Sequence, residues 1–159
     1  MIIEYNSIYD EEIKNLLTEL QNHLIQSDKE KYSQMLDNYK EEYFNKTLDE
    51  INKYHGKMYL YKEDEDIIGL VVGLINNEEI DSYDYKVPQT GRITELIVSS
   101  KYRKKGYGSI LLSSMEEYLK SIGCQDILLG VFAYNEGAIK LYEKNGYHTR
   151  LVEMVKKDI

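Results

Sequence analysis

The chain has 159 residues, 42% of them hydrophobic and 30% charged, and carries a formal net charge of −8 at pH 7. Such a length and balance suit one globular domain with a core of its own and exclude a disordered polar chain. The acidic excess argues against nucleic acid as the main partner, because phosphate binding needs a positive surface.

A cationic small molecule or a basic peptide is compatible with that charge, and so is a charge that merely keeps the chain soluble. No apolar run approaches the roughly 20 residues that span a bilayer, so no membrane is expected. Met1 to Tyr5 lacks the basic flank and the apolar length of a signal peptide. The single cysteine, Cys124, rules out an internal disulfide framework and agrees with a reducing, cytoplasmic setting. His23, His55 and His148 show no metal-ligand spacing, and no metal is expected.

In chain order, Met1 to Tyr5 reads as a short strand. Asp10 to Ser27 is a helix, with Ile13, Leu16, Leu17, Leu20 and Leu24 recurring at three- and four-residue steps. A second helix covers Asp37 to Lys53, with Tyr39, Tyr43, Phe44, Leu48 and Ile51 as its apolar positions. Met58 to Tyr61 and Ile67 to Ile75 read as strands of a hairpin across the acidic turn Glu63-Asp64-Glu65-Asp66. Asn76 to Gly91 has no clear period and forms a long connection, of the kind often used as a binding loop or lid.

A strand then spans Ile93 to Val98, and a helix runs from about Gly106 to Ile122, with Gly123 suited to the left-handed position past its end. Ile127 to Ala133 is a near-continuous apolar run, the pattern of a strand covered on both faces. Asn135 can cap a helix through Asn145, with Gly146 at its exit. Tyr147 to Val155 closes as a last strand, a candidate edge for pairing with a second subunit in a homodimer. The expected fold is α/β, a single domain over residues 1–159 with a mixed central sheet flanked by helices, in the order β-α-α-β-β-β-α-β-α-β.

Between Ile93 and Gly108 the glycines fall where a strand passes into a helix. There glycine permits a tight turn and a close backbone approach. The free N–H groups of the helix's first turn face an anion, and Arg103, Lys104 and Lys105 add charge beside them. Diphosphate is the natural guest, although an ordinary glycine-rich helix start with solvated cations has the same letters. A P-loop fails because Ser109 follows Gly108 without a lysine, and a dinucleotide fingerprint fails because its third glycine position is Leu111.

The segment Arg103-x-x-Gly106-x-Gly108 resembles the R/Q-x-x-G-x-G/A signature of the GNAT superfamily of N-acetyltransferases. Glu95-Leu96-Ile97-Val98 has that family's acidic-then-apolar form at the expected distance before it. Downstream, Asn135-Glu136-Gly137-Ala138-Ile139-Lys140-Leu141-Tyr142-Glu143-Lys144-Asn145-Gly146-Tyr147 resembles its N-x-x-A-x-x-L/F-Y-x-x-x-G-F/Y segment, with tyrosine in place of the commoner phenylalanine after the glycine. The clear match covers residues 91–147, and the N-terminal third follows only in its order of elements.

The resemblance implies acetyl-CoA as acyl donor and a primary amine as acceptor, small and cationic in the leading reading. A protein or peptide amine, and a catalytically idle acyl-CoA-binding module, stand as alternatives. It further implies that the backbone of Leu96, Ile97 and Val98 pairs with the pantetheine arm, where the two central parallel strands splay apart. The loop of Arg103, Lys104, Lys105, Gly106, Tyr107, Gly108 and Ser109 then takes the pyrophosphate, and Asn135 and Ala138 lie on the cofactor's pantetheine side. Asn135 read locally is a helix cap, and the two roles are compatible.

Attack on a thioester needs a neutral amine, and an alkylamine of pKa about 10.4 is neutral in only about one molecule in 10³ at pH 7. A base or a water chain is therefore useful. Glu95 is the candidate, since a carboxylate inside an apolar strand is costly unless it is hydrogen-bonded or used. A salt-bridged or bulge-exposed glutamate is the other reading, and the resembling family does not place its base at one fixed position. Tyr142, by the motif match, is the candidate acid for the departing thiolate; a phenol of pKa about 10 keeps its proton at neutral pH. Without the motif it would be read as core. Cys124 lies roughly 24 Å from the phosphate end of its helix at 1.5 Å per residue, which favours a buried structural thiol. Glu78, Glu79, Asp81, Asp84, Tyr83 and Tyr85 suit a cationic acceptor or, equally, a solvated loop.

Overall fold

The computed structural model describes residues 1–76 and 88–157. The candidate acceptor residues from Glu78 to Tyr85 lie outside those described. A five-stranded sheet runs in the order β1 (Ile2–Glu4), β2 (Lys57–Glu63), β3 (Asp66–Ile75), β4 (Thr90–Val98), β5 (Asp126–Leu129). The first four strands are antiparallel neighbours, and β5 joins β4 in parallel. The helices are α1 (Asp10–Ser27), α2 (Tyr39–Lys53), α3 (Tyr107–Ser121) and α4 (Glu136–Lys144).

The apolar stripes anticipated for the helices face the sheet. Ile13, Leu16 and Leu17 of α1 and Phe44 of α2 are buried with Leu60, Leu70, Val72 and Ile97 on one face. On the other, Leu111, Leu112, Met115 and Leu119 of α3 pack with Val71 and Ile93. At Gly73 a Cβ would stand 2.5 Å from the Met115 sulfur, so only glycine lets α3 approach β3 this closely. Helices α3 and α4 end alike. Gly123 (φ +92°) and Gly146 (φ +90°) take the left-handed position, and the next amides, Cys124 and Tyr147, reach back to Leu119 and Tyr142 at 3.1 and 3.0 Å.

β4 carries the feature that matters most for the site. Val72 pairs with Glu95 and Gly73 with Ile93, so Thr94 is an extra residue, a β-bulge. In an unbroken strand Ile93, Glu95 and Ile97 would share a face. The bulge instead sends Ile93 into the α3-side core and turns Glu95 and Ile97 to the α1–α2 side.

Two expectations need correction. Tyr147 to Val155 forms no strand. A strand exists only where a neighbouring edge accepts its N–H and C=O groups, and none does here; Leu151, Val152 and Met154 stay 80%, 70% and 90% exposed. The edge expected to meet a second subunit is therefore not formed by these residues. The strand anticipated over Ile127 to Ala133 is also shorter, ending at Leu129. Its residues are only half-buried and Phe132 is 48% exposed, because β5 is an edge strand among the described residues and its pairing with β4 stops there.

Candidate active site

Parallel pairing of β4 with β5 begins at Thr90↔Asp126 and ends at Ile93↔Leu129. β4 runs on to Val98, still paired with β3 as far as Gly69↔Val98. Thr94 to Val98 are thus paired with a strand on one side only among the described residues, and their other side offers open backbone except at the Val98 carbonyl, which a side chain occupies. The two parallel strands part beyond Ile93↔Leu129. After β5 the Asn135 amide closes a turn onto the Phe132 carbonyl at 2.8 Å, and the Asn135 side-chain oxygen caps α4 by accepting from the Ala138 amide at 3.3 Å.

At the far end of β4 a 3₁₀ turn, Ser100–Tyr102, leads into the glycine loop. Lys104 (φ +64°) and Gly106 (φ +88°) both adopt left-handed backbone. Glycine does so freely, whereas a lysine there costs about 1 kcal/mol. The Gly106 carbonyl accepts the Ser109 and Ile110 amides at 3.1 and 3.2 Å. The amides of Tyr107 and Gly108 head α3 with no acceptor inside the helix, the end that attracts an anion. Lys104 and Lys105 are exposed beside it.

The side chains of this loop divide by task. Arg103 turns its guanidinium away: Nε donates to the Val98 carbonyl at 2.9 Å and a terminal nitrogen stands 3.8 Å from Glu19, which also accepts the Ser100 amide at 2.8 Å. Only its backbone faces the loop, so the nearby cationic charge comes from Lys104 and Lys105. Tyr107 donates its hydroxyl to Glu63 on β2, a bond that with burial pushes its pKa up to about 12. Its ring anchors against Tyr61 at 4.5 Å, leaving the amide for the loop. A Cβ on Gly108 would stand 3.1 Å from the tip of Leu141 on α4, a tight contact at the place where α4 packs against the start of α3.

Glu95 is 8% exposed. Its Oε1 accepts the Tyr43 hydroxyl from α2, and among the described residues no cation pairs with it; Lys46 is paired with Glu50 at 3.7 Å. Burial pushes the carboxyl pKa up to about 7, the Tyr43 bond pulls against that, and Glu50 and Lys46 act in opposite senses. Tyr142 on α4 is half-buried, its ring 5.8 Å from Tyr147. Burial and the nearby Glu95 charge push its pKa up to about 12. Tyr39, stacked on Tyr43 at 4.9 Å, is raised for the same two reasons. Three phenols thus lie within the field of one carboxylate. A carboxyl titrating near neutrality and a phenol that holds its proton are groups of the kinds that can serve as base and acid.

The sequence reading missed Tyr43, Tyr39, Glu19 and Asn145. Tyr39 and Tyr43 read as helix apolar positions, and no local signal aims α2 at a strand 52 positions away from Tyr43. Cys124 is buried, its thiol pushed up by desolvation. Among the described residues no three His, Cys, Asp or Glu side chains are grouped to hold a metal, and no helix is long and apolar enough to cross a membrane.

Known proteins resemble this chain in sequence and in fold. The chain is 41% identical over 56 residues to an uncharacterized N-acetyltransferase, YycN of Bacillus subtilis, an alignment covering 35% of this chain and 36% of that one. It spans about a third of the length of the first curated relatives it matches. A putative acetyl transferase from Pyrococcus furiosus superposes with a TM-score of 0.74 at 26% identity, covering 99% of both chains. The aminoglycoside N-acetyltransferase AAC(6')-Iy, in complex with the bisubstrate analog CoA-S-monomethyl-acetylneamine, shares the fold with a TM-score of 0.73 at 14% identity over 99% of this chain and 98% of that one. Residues 17–147 match the Acetyltransferase (GNAT) family, and with the split sheet, the glycine loop and the capped α4 in place, the chain belongs to that family.

Proposed function

We propose that this protein transfers an acetyl group from acetyl-CoA to a primary amine of a small, cationic acceptor by direct attack in a ternary complex. The observation that carries it is the Glu95 carboxyl on β4, 8% exposed, bonded by Tyr43 and titrating near pH 7, whose charge also reaches the Tyr142 phenol of α4. The residues fit the donor. Open backbone at Leu96 to Val98 suits the pantetheine amides, and the amides of Tyr107 and Gly108 with Lys104 and Lys105 suit a diphosphate. Asn135 and Ala138, at the capped start of α4, are assigned to the pantetheine side of the donor by the family resemblance. The CoA-containing analog bound by AAC(6')-Iy, a protein of the same fold, supports that reading. When bound, acetyl-CoA supplies a thioester carbonyl and a thiol leaving group.

The chain's own residues manage the protons. Glu95 in its ionised form accepts a proton from the acceptor's ammonium, directly or through a water. Tyr142 keeps its own proton across the neutral range and hydrogen-bonds the departing sulfur. The aromatic rings of Tyr39 and Tyr43 beside a carboxylate suit an alkylammonium.

A thiol-release assay with acetyl-CoA against polyamines, aminoglycosides, amino acids and basic peptides tests the reading. Amine-dependent release is expected from the wild type, with a loss of about 10² or more in Glu95→Gln at pH 7. Slow release that no amine accelerates would instead identify an acyl-CoA-binding module, and a preference confined to peptides would move the acceptor to protein amines.

A further inference from the structure

We infer that Tyr43 is a positioning residue of this reaction: its hydroxyl, donated from α2 to Oε1 of Glu95, fixes the orientation of that carboxylate and sets how tightly it holds its proton. The inference rests on the proposed role of Glu95.

The geometry is specific. The β-bulge at Thr94 turns Glu95 to the α2 side of the sheet, where a carboxylate would otherwise meet only apolar core. Tyr43 is the partner it meets, and among the described residues Oε1 accepts this bond while Oε2 accepts none. A bond to one oxygen holds the carboxyl plane and leaves the second oxygen for a substrate or water proton. The donor is itself held. Its ring stacks on Tyr39 at 4.9 Å with an interplanar angle of 13°, the Lys46 ammonium lies 5.7 Å from its centroid, and its carbonyl accepts the Thr47 hydroxyl at 2.8 Å.

Among the described residues the charged or titratable groups acting on Glu95 are Tyr43, Tyr39, Lys46 and Glu50 from α2 and Tyr142 from α4. Of these, Tyr43 bonds the carboxylate directly. A hydrogen bond to the charged form favours it, so this phenol opposes the desolvation that favours the neutral acid. Removing the hydroxyl takes away the largest influence opposing desolvation and moves the titration of Glu95 upward.

The test is Tyr43→Phe, which keeps the ring and the stack. The Glu95 carboxyl is followed by carbon NMR in glutamate-labelled protein, assigned by its loss in Glu95→Gln, beside the pH profile of kcat/KM. The expected result is an upward move of about one pH unit in both, which at pH 7 lowers kcat/KM several-fold and is recovered near pH 9. Tyr32→Phe, which removes an exposed hydroxyl that has no part in the site, should leave both where they are. A Glu95 titration unmoved in folded Tyr43→Phe would overturn the inference. A titration that moves while the rate profile stays put would uphold the hold of Tyr43 on the carboxylate and overturn Glu95 as the base. Should Tyr43→Phe fail to fold, 3-fluorotyrosine at position 43 keeps the packing and strengthens the donor. It must then move the titration downward, and no movement would again defeat the inference.

Discussion

The Asn145 side-chain amide donates to the Ser109 hydroxyl at 3.1 Å, joining the end of α4 to the first turn of α3. The same amide reaches back to the Leu141 carbonyl at 2.7 Å, so one side chain closes α4 and braces the glycine loop against it. The two sequence segments that carry the family resemblance are thereby one mechanical unit. Asn145→Ala should cost about 1–2 kcal/mol of stability through the lost bonds. It should also raise the KM for acetyl-CoA about threefold or more while kcat changes less, since the loop loses a brace and the proton-transfer pair does not. Thermal unfolding and steady-state kinetics check both parts; an unchanged KM would separate the brace from the loop.

Glu95 carries opposed consequences for stability and activity. Its folded-state pKa is raised to about 7 from 4.5, so between those values the folded protein binds the proton that the unfolded chain has lost. Stability contributed at this site is therefore intact below pH 4.5 and falls as pH rises towards 7, by an amount on the order of 3 kcal/mol. Glu95→Gln removes the charge and should be more stable than the wild type at pH 8, with the difference vanishing near pH 4. Activity runs the other way, rising through pH 7 as the carboxylate forms. Denaturation at several pH values tests it, and equal stabilities at pH 8 would contradict the burial.

Tyr142→Phe keeps the packing of the ring near Tyr147 and removes the proton held near the site. The expected outcome is a fall in kcat of about 10²-fold with acetyl-CoA affinity within a factor of about two. Stopped-flow turnover and calorimetric titration with CoA distinguish the two quantities. Unchanged turnover would remove Tyr142 from the mechanism.

The loop makes a prediction about which charge is used. Because Arg103 spends its guanidinium on the Val98 carbonyl and Glu19, Arg103→Gln should weaken folding by about 1 kcal/mol yet leave the salt dependence of CoA binding nearly unchanged. Lys104→Gln and Lys105→Gln should do the reverse, each lowering affinity more at low salt than at high salt. Titrations at two ionic strengths decide this.

Gly106 isolates backbone strain. A Cβ there meets nothing within 4 Å, but φ is +88°, so Gly106→Ala should cost about 1 kcal/mol through the backbone alone. Gly108→Ala instead forces a methyl to 3.1 Å from Leu141 and should loosen α4. A repacking substitution, Leu141→Val, should rescue the second and not the first, as read by thermal unfolding.

How much of this was legible in the letters follows from how local each feature is. Helix stripes such as Ile13, Leu16 and Leu17, the Gly123 and Gly146 exits, the Asn135 cap and the glycine loop are set by neighbours within a few residues, and the sequence by itself determined them. It also pointed to the family, because two motifs in order are enough to select one. Tertiary structure alone decided the rest. Whether Tyr147 to Val155 is a strand depends on an edge to pair with, which alternation of side chains cannot supply. Which face receives Glu95 depends on the extra residue Thr94, since one insertion reverses every side chain beyond it. That the Arg103 guanidinium meets the Val98 carbonyl and Glu19, and that Tyr43 rather than a cation meets Glu95, are contacts between elements brought together by the packing of α1 and α2 on the sheet. Burial then sets the chemistry: a glutamate is a neutral-pH base only once the fold has taken it out of water.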